Sequence, residues 1–189
     1  MPAVPRIRRY CPDKFLAQIH DRFLMDTFRI VCTLRDVTFF LEVFPSDLLP
    51  SSRSILKPCT LIVNADPHTE GGSHWQAIRL TPRSSRAYYF DSYGIIPLVP
   101  SIQAFVKRNC TSWKYNKRQL QGLSSDVCGQ YCCLFALFMD RSYTPQQFIK
   151  LFAGSSNADR QVTQMVASEC WPPCRVAAGV NAVAAAYKR

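Results

Sequence analysis

Cys128 stands where a polar, glycine-containing stretch gives way to an apolar run, in residues 120–139, LQGLSSDVCGQYCCLFALFM. Ser124, Ser125 and Asp126 are helix N-cap residue types, so a helix is expected to begin at about Asp126. Cys128 then falls in the first turn, where unpaired backbone N–H groups and the positive end of the helix dipole favour an anion. That setting draws a thiol toward the thiolate, the form that attacks carbonyl carbon. From Val127 to Met139 apolar residues occupy every face, which predicts a helix buried in the middle of a domain with Cys128 at its exposed tip. The ordinary alternative is a small buried hydrophobe, the commonest role of a free cysteine.

A thiolate nucleophile needs a base, a group that orients the base, and donors for the oxyanion. The chain has three histidines. His20 sits in a predicted amphipathic helix over residues 12–25 and reads as a surface residue; His68 lies in a polar loop. His74 opens a predicted strand, residues 74–80, directly after GGS. Asp91 closes the next predicted strand, residues 87–90, in YYFDSYG. If TPRSSR joins the two as a hairpin, their outer ends meet and a carboxylate stands beside the imidazole, holding its tautomer and its charged form. Gln121, seven positions before Cys128, lies in a turn-forming segment from which its amide could donate to an oxyanion beside the Cys128 backbone N–H. Taken singly, Asp91 is equally a strand-end turn residue and Gln121 a solvated loop residue. Together the four supply the parts of a thiol protease in the order His, Asp, Gln, Cys.

The elements that must position them follow from the pattern. Residues 28–43, rich in Val, Thr and Phe, predict one or two short strands, and residues 59–63 a buried strand. Residues 44–57 and 64–73 read as loops. Short helices are expected over 101–108, 144–152 and 157–168, with a further strand at 113–115. Strands in the middle with helices on both sides make an α+β domain: a small mixed or antiparallel sheet with the nucleophile at the N-terminus of a buried central helix. At 189 residues the chain suits one domain, here residues 1–168 with a peripheral Ala-rich tail from 169 to 189.

Composition limits the function classes. Nearly half the residues are hydrophobic, which excludes a disordered chain, and no apolar run reaches membrane-spanning length. The N-terminus MPAVPRIRRY lacks a signal-peptide core, and nine cysteines, an odd number, lack the spacing of a secreted disulfide scaffold. An intracellular, unsecreted, membrane-free protein is expected. Cys170 and Cys174 form C-x-x-x-C with no nearby histidine, which is not a zinc site, and no metal is expected elsewhere. The net charge of +10 is concentrated at Arg6, Arg8 and Arg9 and at Lys107, Arg108, Lys114, Lys117 and Arg118. It serves solubility or attracts a polyanion, and contacts to nucleic acid would be to phosphates and independent of sequence.

GGSHW, FDSYG, and QG followed by S-x-x-CGQYCC resemble the adenovirus proteinase (adenain) family and, more distantly, the ubiquitin-like-protein proteases. The phrases VFPSDLLP, CTLIVNAD and QLQGLSSDVCGQYCC are most similar to proteases of Maverick/Polinton elements and related adenovirus-like viruses. The resemblance covers roughly residues 38–152. It implies His74 as base, Asp91 as its orienter, Gln121 as oxyanion donor and Cys128 as nucleophile. Trp75 and Gly129 are implied as supports of substrate and oxyanion. It also implies a monomeric endopeptidase that cleaves structural precursor proteins, at Gly-rich sites, in the host nucleus or the virion. No cofactor is required for the chemistry, but DNA and a short disulfide-joined peptide are the family's activators. Cys110, eleven positions before Gln121, has the spacing of the peptide-accepting cysteine. The acidic member here is Asp where adenoviral enzymes commonly have Glu, and the tail with Cys170 and Cys174 has no counterpart. Two other readings stand beside this one. A protease for a ubiquitin-like modifier would use the same machinery with an added surface for the modifier body. A non-catalytic nucleic-acid-binding remnant would be expected to lack at least one of the four residues.

Overall fold

Alternating apolar residues build a five-stranded sheet whose two faces are both covered. The computed structural model describes residues 30–170 except 32, 51–54, 56–57, 82 and 84. The strands are β1 (Phe40–Pro45), β2 (Cys59–Asn64), β3 (Trp75–Thr81), β4 (Arg86–Phe90) and β5 (Ser112–Tyr115), in spatial order β1-β2-β3-β4-β5. The inner pairs β2–β3 and β3–β4 are antiparallel, and the outer pairs β1–β2 and β4–β5 are parallel. A parallel pair needs a crossover, and α1 (Pro100–Asn109) supplies it between β4 and β5.

Side chains on successive strand positions point to opposite faces, so each strand serves two cores. Leu61, Val63, Ile78, Leu80 and Tyr89 pack with Ile102, Phe105 and Val106 of α1 on one face. Ile62, Trp75, Ala77 and Phe90 pack on the other face against α2 (Cys128–Asp140), α3 (Pro145–Phe152) and α4 (Ala158–Cys170). Here Phe135 of α2 stacks on Phe90 at 4.7 Å, and Phe148 of α3 meets both rings edge-on at 5.4 Å. Each such aromatic pair adds about 1 kcal/mol beyond its buried area. The mixed sheet and the buried central helix are those expected from the sequence.

Four expectations need correction. Residues 30, 31, 33 and 34 are helical, not extended, and the first strand begins only at Phe40. Ile30 and Leu34, one helical turn apart, are 4% and 0% exposed in the core beside α2, and that burial outweighs the strand preference of Val31 and Thr33. The central helix starts at Cys128, not Asp126, and Val127 at its N-cap position has no side-chain cap bond. Ser125 is spent instead on a turn, its N–H and Oγ both donating to the Gly122 carbonyl at 3.2 and 3.3 Å. Cys128 is 7% exposed, so its helix tip is covered, not open. α4 also runs on to Cys170, into what was expected to be tail. The expected helix over 12–25 with His20, the Arg6, Arg8 and Arg9 cluster, and the segment 171–189 with Cys174 lie outside the described residues.

Candidate active site

His74 immediately precedes β3 and Asp91 immediately follows β4, so the antiparallel pairing of these strands brings the two side chains together. His74 Nε2 lies 2.8 Å from Asp91 Oδ2. That leaves Nδ1 for Cys128, whose thiol also hydrogen-bonds the ring. The Trp75 backbone N–H points at Cys128 Sγ from 3.5 Å, which places a fixed donor on the sulfur from the strand that carries the imidazole. Trp75 also covers the helix tip: a Cβ added at Gly129 would lie 3.4 Å from its ring. Gly129 therefore gives the indole room to lie against the first turn of α2.

Burial disfavours a charged His74, but the Asp91 hydrogen bond, the Cys128 hydrogen bond and the negative charge near both outweigh it. The His74 pKa is raised from 6.5 to about 9, so the ring is an imidazolium at neutral pH. Asp91, 1% exposed, is the buried counter-charge. Its Oδ1 accepts the Tyr93 backbone N–H at 2.7 Å, and its Oδ2 also accepts from Gln76 Nε2 at 3.3 Å. With these donors in place the carboxylate stays fixed as the proton on His74 comes and goes.

Gln121 is 1% exposed and reaches the same groove. Its backbone N–H, with that of Leu120, donates to the Ser92 carbonyl, at 3.0 and 2.8 Å. Its Oε1 accepts from Ser92 Oγ at 2.6 Å, and its Nε2 donates to the Ser125 carbonyl at 2.6 Å and to Tyr93 Oη at 3.1 Å. The close approach of the two loops needs Gly94, which has φ +73°, because a Cβ there would lie 2.6 Å from the Arg118 carbonyl carbon.

His74, Gln121, Cys128, Trp75 and Gly129 thus line one groove of about 620 Å³, and Asp91 stands behind it on His74. Gly71, Gly72 and Ser73 form part of its wall, and Thr163 and Val166 of α4 another part. Cys110 is not among them. It sits at the C-cap of α1, packed against the opposite core, donating its thiol to the Val106 carbonyl at 3.0 Å. Burial pushes that thiol pKa up. Among the described residues no group of three His, Cys, Asp or Glu could hold a metal ion. No helix among them is long and apolar enough to cross a membrane.

Sequence reasoning passed over Tyr93, Gln76, Asn116 and Asp159. Tyr93 had a signal, because an Asp two residues earlier can bind its backbone N–H in an Asx turn. The others reach the site through contacts distant in sequence, for which no local pattern exists.

A family model described as adenovirus endoprotease matches residues 40–99, the span that carries His74 and Asp91. The protease of human adenovirus B serotype 3 is 27% identical over 143 residues, 67% of this chain and 66% of that protein. The protease of bovine adenovirus 2 is 29% identical over 114 residues, 52% of this chain and 56% of that one. The chain is similar to the adenovirus proteases. It spans between half and two-thirds of the length of these viral relatives. In three dimensions it is similar to the crystal structure of an ASFV protease, with a TM-score of 0.53 at 15% identity, over 77% of this chain and 66% of that one. That likeness to a second viral protease is one of fold.

Proposed function

We propose that this chain is a viral or virus-like cysteine endopeptidase that cleaves structural precursor proteins. The observation that carries the reading is His74 held between Asp91, at 2.8 Å, and the Cys128 thiol. Cys128 attacks the scissile carbonyl as the thiolate, its proton already held on the His74 imidazolium. The oxyanion takes donors from the Cys128 backbone N–H and from the Gln121 side of the groove. His74 returns its proton to the leaving amine, and water then releases the acid from the thioester by the same route in reverse. Asp91 keeps the imidazolium oriented throughout. No metal or organic cofactor enters any of these steps.

The wider reading places the enzyme in the infected cell or the virion, acting as a monomer. Its activators would be DNA, on the exposed Lys107, Lys114, Lys117 and Arg118, and a peptide joined at the half-buried Cys110. A rate that does not change with added DNA at low salt would remove the first of these. Alkylation by iodoacetamide, located by mass spectrometry, tests the core of the reading. Cys128 should label faster than Cys59, Cys110, Cys132 or Cys133, and His74→Ala should abolish that preference. Equal, slow labelling of all five in both proteins would overturn it.

A further inference from the structure

Gln121 has two amide hydrogens, and both are spent: one on the Ser125 carbonyl at 2.6 Å and one on Tyr93 Oη at 3.1 Å. The amide plane is pinned a third time by Ser92 Oγ on Oε1 at 2.6 Å. Turning this side chain toward an oxyanion would break a short bond and leave the half-buried Ser125 carbonyl less well satisfied. Tyr93 is held differently. Its hydroxyl donates to the same Ser125 carbonyl across 3.3 Å, the longest bond in the cluster. A phenol O–H swings about its C–O bond without moving the ring, so this proton is cheap to redirect. Tyr93 lines the groove with Cys128, and its ring lies 5.0 Å from that of His74, tilted by 32°.

We propose that the Tyr93 hydroxyl is a side-chain donor to the oxyanion, with Gln121 acting through it as the second link of a relay. The Gln121 N–H pointing at Tyr93 Oη polarises the hydroxyl and makes it a stronger donor, as in any chain of aligned hydrogen bonds. When the thiolate adds to a carbonyl, the Tyr93 proton swings from Ser125 to the new oxyanion, while Ser125 keeps its short bond from Gln121. No proton is transferred; only the acceptor of the O–H changes. Burial, together with the negative charge at Cys128 and Asp91, raises the phenol pKa, so the hydroxyl keeps its proton at neutral pH. The assignment rests on the peptidase reading and gives Tyr93 a part that Gln121 alone was expected to play.

Two reagents separate the role of the hydroxyl from that of the nucleophile. Iodoacetamide needs a thiolate but forms no oxyanion, whereas p-nitrophenyl acetate acylates the sulfur through a tetrahedral oxyanion and releases p-nitrophenolate. Tyr93→Phe should alkylate at the wild-type rate and acylate about tenfold more slowly or worse, as for loss of one oxyanion donor. A ring-fluorinated tyrosine at position 93, with a more acidic phenol, should acylate faster than wild type at pH 6, a change that a packing role would not produce. Tyr93→Phe acylating at the wild-type rate would overturn the proposal. So would equal losses in both reactions, which would mean that the hydroxyl acts on the thiolate or the fold. Failure of the underlying reading would look different: the wild-type protein itself would show neither His74-dependent alkylation nor acylation at Cys128.

Discussion

Asn116 grips the backbone of Asp91 from both sides. Its Oδ1 accepts the Asp91 N–H at 3.0 Å, and its Nδ2 donates to the Asp91 carbonyl. Asn116 is 3% exposed and follows directly on β5, so the last strand of the sheet fixes the height of the Asp91 carboxylate. Asn116→Ala leaves the buried Asp91 N–H unpaired, while the carbonyl keeps the Gly94 N–H at 2.9 Å, and should cost about 1–3 kcal/mol. Urea unfolding measures that cost. In the fraction that remains folded, alkylation of Cys128 should slow although neither Cys128 nor His74 has been changed.

Because His74 is raised from 6.5 to about 9, the folded protein holds a proton between these values that the unfolded chain gives up. The resulting stabilisation is complete below pH 6.5, declines as pH rises, and is gone above about pH 9. Asp91→Asn removes one of the two raising partners and leaves the burial, so the titration of His74 should move down from about 9. NMR titration of the His74 ring protons reads the shift directly. The gap in unfolding free energy between wild type and Asp91→Asn should be wider at pH 6 than at pH 9.5.

Gly94→Ala meets two obstacles, a φ of +73° and a contact of 2.6 Å with backbone at Arg118. Backbone cannot swing aside as a side chain can, so the loops carrying Ser92 and Gln121 must part. A loss of about 2–3 kcal/mol is expected, against less than 1 kcal/mol for Gly71→Ala, where the added Cβ meets nothing within 4 Å. Thermal unfolding of the two variants side by side makes the comparison.

Asp159 of α4 accepts the Tyr131 hydroxyl at 3.0 Å on one oxygen and the Gly122 N–H at 3.0 Å on the other. Asp159→Ala should free the 122–125 turn without dissolving α2, at a cost of about 1–3 kcal/mol. Hydrogen exchange at the Gly122 amide should accelerate by at least tenfold, while amides in β3 keep their protection. Acylation of Cys128 should fall more than alkylation, because the turn carries the Ser125 carbonyl that orders Gln121 and Tyr93.

The elements most legible in the sequence were those whose own residues decide them. Leu61, Val63, Ile78, Leu80 and Tyr89 alternate because the sheet is covered on both faces, and Thr144 before Pro145 is a full capping box with Gln147. Residues 30–34 misled because Val31 and Thr33 favour strand locally, while the burial that makes them helical lies with Ile30, Leu34 and α2. The start of α2 was misplaced for a related reason. Ser125 has the chemistry of a cap, but Gly122 claims its donors first. The positions of His74 and Asp91 followed from one hairpin. Those of Asn116, Gln76 and Asp159 depend on where separate strands and helices come to rest, and no spacing in the chain announces that.

The two parallel pairings at the margins of the sheet carry a consequence for how the chain matures. Hairpin β3–β4 can close early, since its partners are neighbours in sequence. The Trp75 N–H that meets Cys128 Sγ spans a separation of 53 residues, and the clamp from Asn116 on Asp91 spans 25. Contacts of such high order pay their loop-closure entropy before they return any stability, so they form among the last. A nascent or half-folded chain therefore carries a histidine, a carboxylate and a thiol that have not yet met. Selective reactivity at Cys128 is then a reporter of completed folding, and the proposed cleavage would wait until the molecule has finished making itself.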